Sequence, residues 1–320
     1  MIERGPYAFF LRPSELSDLI DEAGRIFDKE QALVKIPRTA INVIGAIRGQ
    51  YRDLFRWFQI CGWPPRNRCI FLGELITEGS SFSLETLSLI CAMKIMMPYD
   101  VYVIRGCIEA RRFRFAARFS RQICDALAEI IRDFCHKLPI AATIGGRILA
   151  VHGGPSPEVK TLEEISKIRK SLQLDAAANH FIFSRMDKDV ENYKVIKTNP
   201  RGVLFGDLAI RKACENLGVD LIIRSHNPHP KGYSIHADRK LISIWSAPNT
   251  KCEAAACLRI SAENVVSIVQ LVRKVSSRCA SEENMGTLTA SSNNATLSQA
   301  NKRTTAKSVS GTTRTSSGGA

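Results

Sequence analysis

Short apolar runs of β type recur along the chain, each broken by a loop containing glycine, histidine or asparagine. Residues 41–44 (INVI) run into GAIRGQ, 69–72 (CIFL) into GELITEG and 101–104 (VYVI) into RGCIE. Residues 147–151 (RILAV) run into HGGPSP, 220–224 (DLIIR) into SHNP and 241–245 (LISIW) into SAPN. Such runs predict strands. Between some of them the apolar period lengthens to that of a helix. Residues 83–96 place Leu84, Leu87, Cys91 and Ile95 on one face, with Ser83 positioned as an N-cap. Residues 122–138 do the same with Ile123, Leu127, Ile130, Ile131 and Phe134. Strands alternating with helices predict an α/β architecture, in which loops leaving the carboxyl ends of strands form the site. The loops after these runs are therefore expected to converge.

The pattern stops near residue 275. Residues 276–320 hold 18 Ser or Thr, no aromatic residue and few aliphatic ones. A segment of that composition buries too little apolar surface to offset its ordering entropy, so a disordered Ser/Thr-rich basic tail is expected after a folded body of residues 1–275. No stretch of 18 or more apolar residues occurs, so no membrane span is expected. The N-terminus MIERGPYAFFLRP lacks the long apolar core of a secretory signal. The ten cysteines are scattered without a CxxC pair, which fits reduced thiols in a cytoplasmic or nuclear protein.

The net charge of +14 lies mostly in the body. Residues 105–122 carry six arginines and one acid, and Arg111, Arg114, Arg118 and Arg121 would share one face of a helix. Two readings stand. The stripe is a surface for acidic protein or nucleic acid, or it is the solvated face of a helix whose Phe115 and Phe119 enter the core.

The corner INVIGAIRGQY raises a sharper question. Two glycines bracket a tight turn directly after a strand, as in turns that hold a ligand. Yet the side chains between them are Ala46, Ile47 and Arg48, and none of these binds a cation. The ordered series GAIRGQY, FLGELITEG, RGCIE, LPIAA, HGG, RGV, RSH and SAPN resembles the serine/threonine phosphoprotein phosphatases, above all the type-1 catalytic subunit, from about residue 10 to about 274. GWPP at 62–65, SLET at 83–86, MDKD at 186–189 and GY at 232–233 match as well. The resemblance implies the calcineurin-like metallophosphoesterase fold: two packed mixed β-sheets flanked by helices. It also implies hydrolysis of phosphoserine and phosphothreonine by two metal ions that share an activated water.

The blocks depart from the family where that chemistry resides. Gly-Asp-x-His-Gly becomes a turn with Ala46 and Arg48 at the two ligand positions. In Gly-Asp-x-x-Asp-Arg-Gly the bridging Asp is Glu74, the second Asp is Thr77 and the phosphate-binding Arg is Glu78. In Gly-Asn-His-Glu the Asn ligand is Cys107 and the general acid is Ile108, while Glu109 remains. Losing a positioned acid alone typically costs about 10²–10⁴ in rate. His152, His226 and the phosphate-binding Arg201 stand at their family positions, and Asn249 ends SAPN, but Thr250 replaces an expected tyrosine.

The resemblance thus leaves Glu74, His152 and His226 as remnant metal ligands, with Ala46, Arg48 and Cys107 as lost positions. The histidines either persist as hydrogen-bonded structural groups or hold one weak ion. An ion pair of Arg48 with Glu74 is expected to stand in for the missing cations. No cofactor is therefore expected; the alternative is one or two divalent ions, Mn, Fe or Zn. Ile148, Leu221, Ile235, Val265 and Val269 match the groove in which type-1 phosphatases capture short hydrophobic motifs of regulatory proteins. Three functions follow as expectations: a pseudophosphatase that binds or regulates, a divergent active phosphatase, and a binder of acidic protein or nucleic acid through residues 105–122.

Overall fold

A computed structural model describes residues 1–7, 9, 11–78, 80–111, 121–248, 252, 254–273 and 288–293. One six-stranded sheet runs in the order β1 (Leu33–Ile36), β5 (Ala141–Ile144), β6 (Ile148–Val151), β10 (Leu221–Arg224), β12 (Leu241–Ile244) and β11 (Tyr233–His236). The second runs β15 (Leu288–Asn293), β14 (Val266–Arg273), β13 (Ala254–Ile260), β2 (Ile41–Ile44), β3 (Arg68–Phe71) and β4 (Val101–Val103). A small third sheet holds β7 (Arg185–Met186), β9 (Val203–Phe205) and β8 (Tyr193–Val195). The helices are α1 (Pro13–Asp28), α2 (Tyr51–Cys61), α3 (Ser83–Met96), α4 (Arg121–Lys137), α5 (Leu162–Ser166), α6 (Ala176–Phe183) and α7 (Asp207–Leu217). Both large sheets are mixed: β2, β3 and β4 pair in parallel, as do β6, β10 and β12, whereas β13 and β11 pair antiparallel to their neighbours.

The alternation of each strand divides its side chains between two cores. Ile41, Val43, Ile70 and Leu72 meet Ile144, Ile148, Ile223 and Ile242 between the sheets. Ile44, Cys69 and Phe71 face the opposite way, onto Leu16, Phe27, Trp57, Leu87 and Phe134 of the helices. A third core joins Leu149, Val151 and Ile222 to Phe181, Ile210 and Leu217. Strands covered on both faces read as nearly continuous apolar runs, which is why six of them stand out in the sequence. Pro13 starts α1 at the position where its missing N–H is harmless.

Four details differ from the sequence-based expectations. Ser83 opens α3 as its first residue; its Oγ donates to the Thr77 carbonyl and accepts from the Thr77 N–H, so it ties down a loop. Arg105, the first arginine of the basic segment 105–122, does not lie at a surface. It is fully buried and donates to the carbonyls of Ser171, His136 and Leu138. Residues 107–111 form turns, and Arg114, Phe115, Arg118 and Phe119 lie outside the described residues. Finally, Leu288–Asn293, inside the segment expected to be disordered, pairs antiparallel with β14. The edge of β14 offers a row of backbone donors and acceptors that an extended segment satisfies whatever its side chains.

His229 is half-buried beside the Arg224 guanidinium, with Nε2 2.8 Å from Ser243 Oγ. Burial first, then Arg224 and His236, pushes its pKa from 6.5 down to about 4. The folded state holds this ring neutral, while the unfolded chain protonates it below 6.5. Its contribution to stability is therefore full above that pH and is lost as pH falls toward 4. Denaturant midpoints are expected to drop across that window, and His229→Gln is expected to make the drop shallower.

Candidate active site

The loops that follow β2, β3, β4, β6, β10 and β12 meet at one end of the sandwich. Gly45 leaves β2 where an added Cβ would lie 2.9 Å from both the Ile244 carbonyl and Ser225 Oγ, so only glycine fits. The Gly45 and Ala46 N–H groups donate to Ser246 Oγ and Ser225 Oγ. The Ile47 and Arg48 N–H groups both donate to the Glu74 carbonyl, at 3.1 and 2.8 Å. Ala46 is wholly buried against Trp245 and Ala247 and offers no donor atom. Arg48 (φ 55°) and Glu74 (φ 52°) both take the left-handed conformation, which costs most residues about a kcal/mol or more and aims the two side chains at each other.

The loops carrying Glu74 and Cys107 touch backbone to backbone. A Cβ on Gly73 (φ 82°) would lie 2.3 Å from the Gly106 nitrogen. The buried Glu109 carboxylate accepts from the N–H groups of Glu74 (2.9 Å), Leu75 (2.8 Å) and Gly106 (3.1 Å) and so clamps the two loops together. Glu109 is a residue the sequence retains without revealing this job.

Glu74 is 3% exposed, and its two oxygens serve different partners. Oε2 accepts from Arg48 at 3.3 Å, giving the ion pair expected from the sequence. The same guanidinium reaches Thr77 Oγ1 at 3.4 Å and lies over the Trp245 ring at 5.7 Å. Oε1 accepts from the Cys107 thiol at 2.7 Å and lies 3.9 Å from His152 Nε2 and 4.0 Å from His226 Nδ1. These four donors, all buried, lie within 4.8 Å of one another. The structure thus gathers Glu74, His152 and His226 as expected, and adds Cys107, which the sequence comparison had set aside as a lost ligand. A thiol is a poor substitute for an amide oxygen on a hard ion, but it is a strong ligand for a soft one.

The hydrogen bonds fix the imidazole tautomers. His152 Nδ1 lies 2.6 Å from the Leu72 carbonyl and must donate to it, so Nε2 carries a bare lone pair. His226 Nδ1, 3.1 Å away, must then donate to that lone pair. Among the described residues, His226 Nε2 is buried without a partner. Burial pushes the pKa of His152 to about 4 despite the nearby Glu74, and that of His226 well down, helped by His152 and Arg224. Desolvation and Glu74 hold the Cys107 thiol protonated.

These residues do not fit a two-metal centre. Ala46 supplies no ligand, and the Arg48 guanidinium lies on the carboxylate that would have to bridge the ions. They do fit one ion, and this favours the alternative of a divalent cation over the expectation of no cofactor. Ile108 packs against two of the cores and has no proton to give. Glu78 is exposed, and Asn249 and Thr250 lie outside the described residues. Arg201 is exposed and stacks 3.9 Å above the Phe183 ring, with Arg111 on the same ring at 5.6 Å. Of the groove positions, Ile148 and Leu221 are register partners, and Ile235 is 37% exposed on the edge strand β11. Val265 lies just before β14. Val269 packs into the helix-side core, and its strand edge is paired to Ser292.

Removing the Glu109 carboxylate strands three buried N–H donors. Glu109→Ala is expected to lose on the order of 3–5 kcal/mol of stability, read by denaturant unfolding, and Glu109→Gln to lose less.

The calcineurin-like phosphoesterase family matches residues 17–230. The chain is 34% identical over 222 residues to "Serine/threonine-protein phosphatase PP2A-like PPG1" of Candida albicans, covering 66% of this chain and 52% of that protein. It is 28% identical over 296 residues to "Serine/threonine-protein phosphatase C23G10.1" of Caenorhabditis elegans, covering 85% and 64%. The chain thus spans between half and two thirds of the length of these relatives. A Saccharomyces cerevisiae serine/threonine phosphatase described as similar to human phosphatase PP5 shares the fold, with a TM-score of 0.68 at 23% identity over 88% of this chain and 90% of that one. A cold-active protein-tyrosine phosphatase of Shewanella aligns with a TM-score of 0.55 at 15% identity, over 76% and 81%. With the sandwich, the converging loops and the family match in place, the chain belongs to the calcineurin-like phosphoesterases and has a serine/threonine phosphatase-like fold.

Proposed function

We propose that this protein is a pseudophosphatase: a serine/threonine phosphatase fold kept for binding or regulation, without two-metal hydrolysis. The observation that carries this reading is the Arg48 guanidinium on Glu74 Oε2, beside an Ala46 that has no ligand atom. A second ion next to a guanidinium would meet direct charge repulsion, since Arg stays protonated at every working pH. Ile108 at the acid position and Glu78 at a phosphate-binding position remove further steps of the same reaction. Such losses are not additive, because a site without its metals gains nothing from an acid. The partners proposed are regulatory proteins of the cytoplasm or nucleus that present short hydrophobic motifs; acidic proteins or nucleic acid at residues 105–122 are the weaker proposal.

The convergence of Glu74, Cys107, His152 and His226 favours one second reading, a divergent metal-dependent phosphatase working with a single ion and Arg201. The two separate cleanly in an assay. Full-length protein with Mn²⁺ or Zn²⁺ is expected to release no more phosphate from a phosphoserine peptide than its His152→Ala variant does. Hydrolysis that His152→Ala abolishes would establish the second reading instead.

A further inference from the structure

We infer that Glu74, Cys107, His152 and His226 form a closed, thiolate-bearing site for one zinc-type ion, with Arg48 as the fixed second cation of the pocket. The inference rests on the non-hydrolytic reading and deepens it.

The donor atoms are poised for a small tetrahedron. Cys107 Sγ to Glu74 Oε1 is 2.7 Å and His152 Nε2 to His226 Nδ1 is 3.1 Å. Oε1 lies 3.9 and 4.0 Å from the two ring nitrogens. Zinc–ligand bonds of about 2.0–2.3 Å at tetrahedral angles need donor separations of roughly 3.3–3.8 Å, so the observed set brackets the requirement. His152 already gives its other ring N–H to a backbone carbonyl, the outer contact that orients a metal-binding imidazole. Without a cation, the lone pairs of these atoms face one another across one S–H and one N–H. A cation on His226 Nδ1 moves that ring's proton to Nε2.

Charge decides the number of ions. Binding one divalent cation displaces the Cys107 thiol proton to solvent, so one positive charge is added net, and the ion with thiolate and carboxylate is locally neutral. Glu74 offers Oε1 to that ion while Oε2 stays with Arg48. A second ion would have to displace the guanidinium. Four protein ligands also leave no open position for an activated water, which is the form of a structural zinc site. The thiolate favours zinc over manganese.

The test uses the full chain, stripped with a chelator and reloaded with Zn²⁺ or Co²⁺. Elemental analysis is expected to give one zinc per chain. Zinc X-ray absorption on the unaltered protein is expected to show one sulfur neighbour. The cobalt protein is expected to show a near-ultraviolet thiolate charge-transfer band that disappears in Cys107→Ala and in Cys107→Asn. No bound metal, two ions per chain, or a zinc shell without sulfur in the unaltered protein would overturn the site even if the variants fail to fold. Zinc-loaded protein that hydrolyses a phosphoserine peptide would overturn the closed coordination and the non-hydrolytic reading while leaving the sulfur shell in place.

Discussion

One carboxylate carries the site. Glu74 sits where a chain of this family would place a group shared by two metal ions, and here its oxygens are divided between a guanidinium and a thiol. The pairing is one-sided in burial: Glu74 is 3% exposed and the Arg48 side chain 31%. A buried carboxylate without a cation is costly, and its partner cannot be removed without stranding it. Arg48 is thus tied to Ala46 and Cys107, the other two positions where this chain departs from the family's ligand set.

The surrounding fold makes this exchange possible. The Glu109 clamp, the glycine contact at Gly73 and Gly106, and the serine anchors at Ser225 and Ser246 fix loop backbones and do not touch a ligand. Because the loops are held from behind, side chains at their tips can change from ligand to cation without loss of architecture. The family's fold survives in the backbone, while the side chains at the tips differ from its ligand set.

Much of this was legible in the sequence. Six buried strands announce themselves because both faces are covered, and the loops after them do converge as parallel strands require. The Arg48–Glu74 pair was legible because a cation and a carboxylate stand at ligand positions of two blocks that face one site. Cys107 was not, since at the family's Asn position it reads as a lost ligand until three other donors are seen within reach. The burial of Arg105 was not legible because its carbonyl partners, in Ser171, His136 and Leu138, come from 31 to 66 residues away. Ser83 looked like a cap because its true partner, Thr77, sits in a loop whose course depends on Glu109. The pairing of Leu288–Asn293 with β14 follows from an open sheet edge, which composition does not report.

The most direct measurement of the central claim is anomalous diffraction from crystals grown in excess Mn²⁺ or Zn²⁺. The expected map keeps the Arg48 guanidinium on Glu74 and shows a single anomalous peak, on the side of Cys107, His152 and His226. Two peaks flanking the Glu74 carboxylate, with Arg48 swung away, would contradict it.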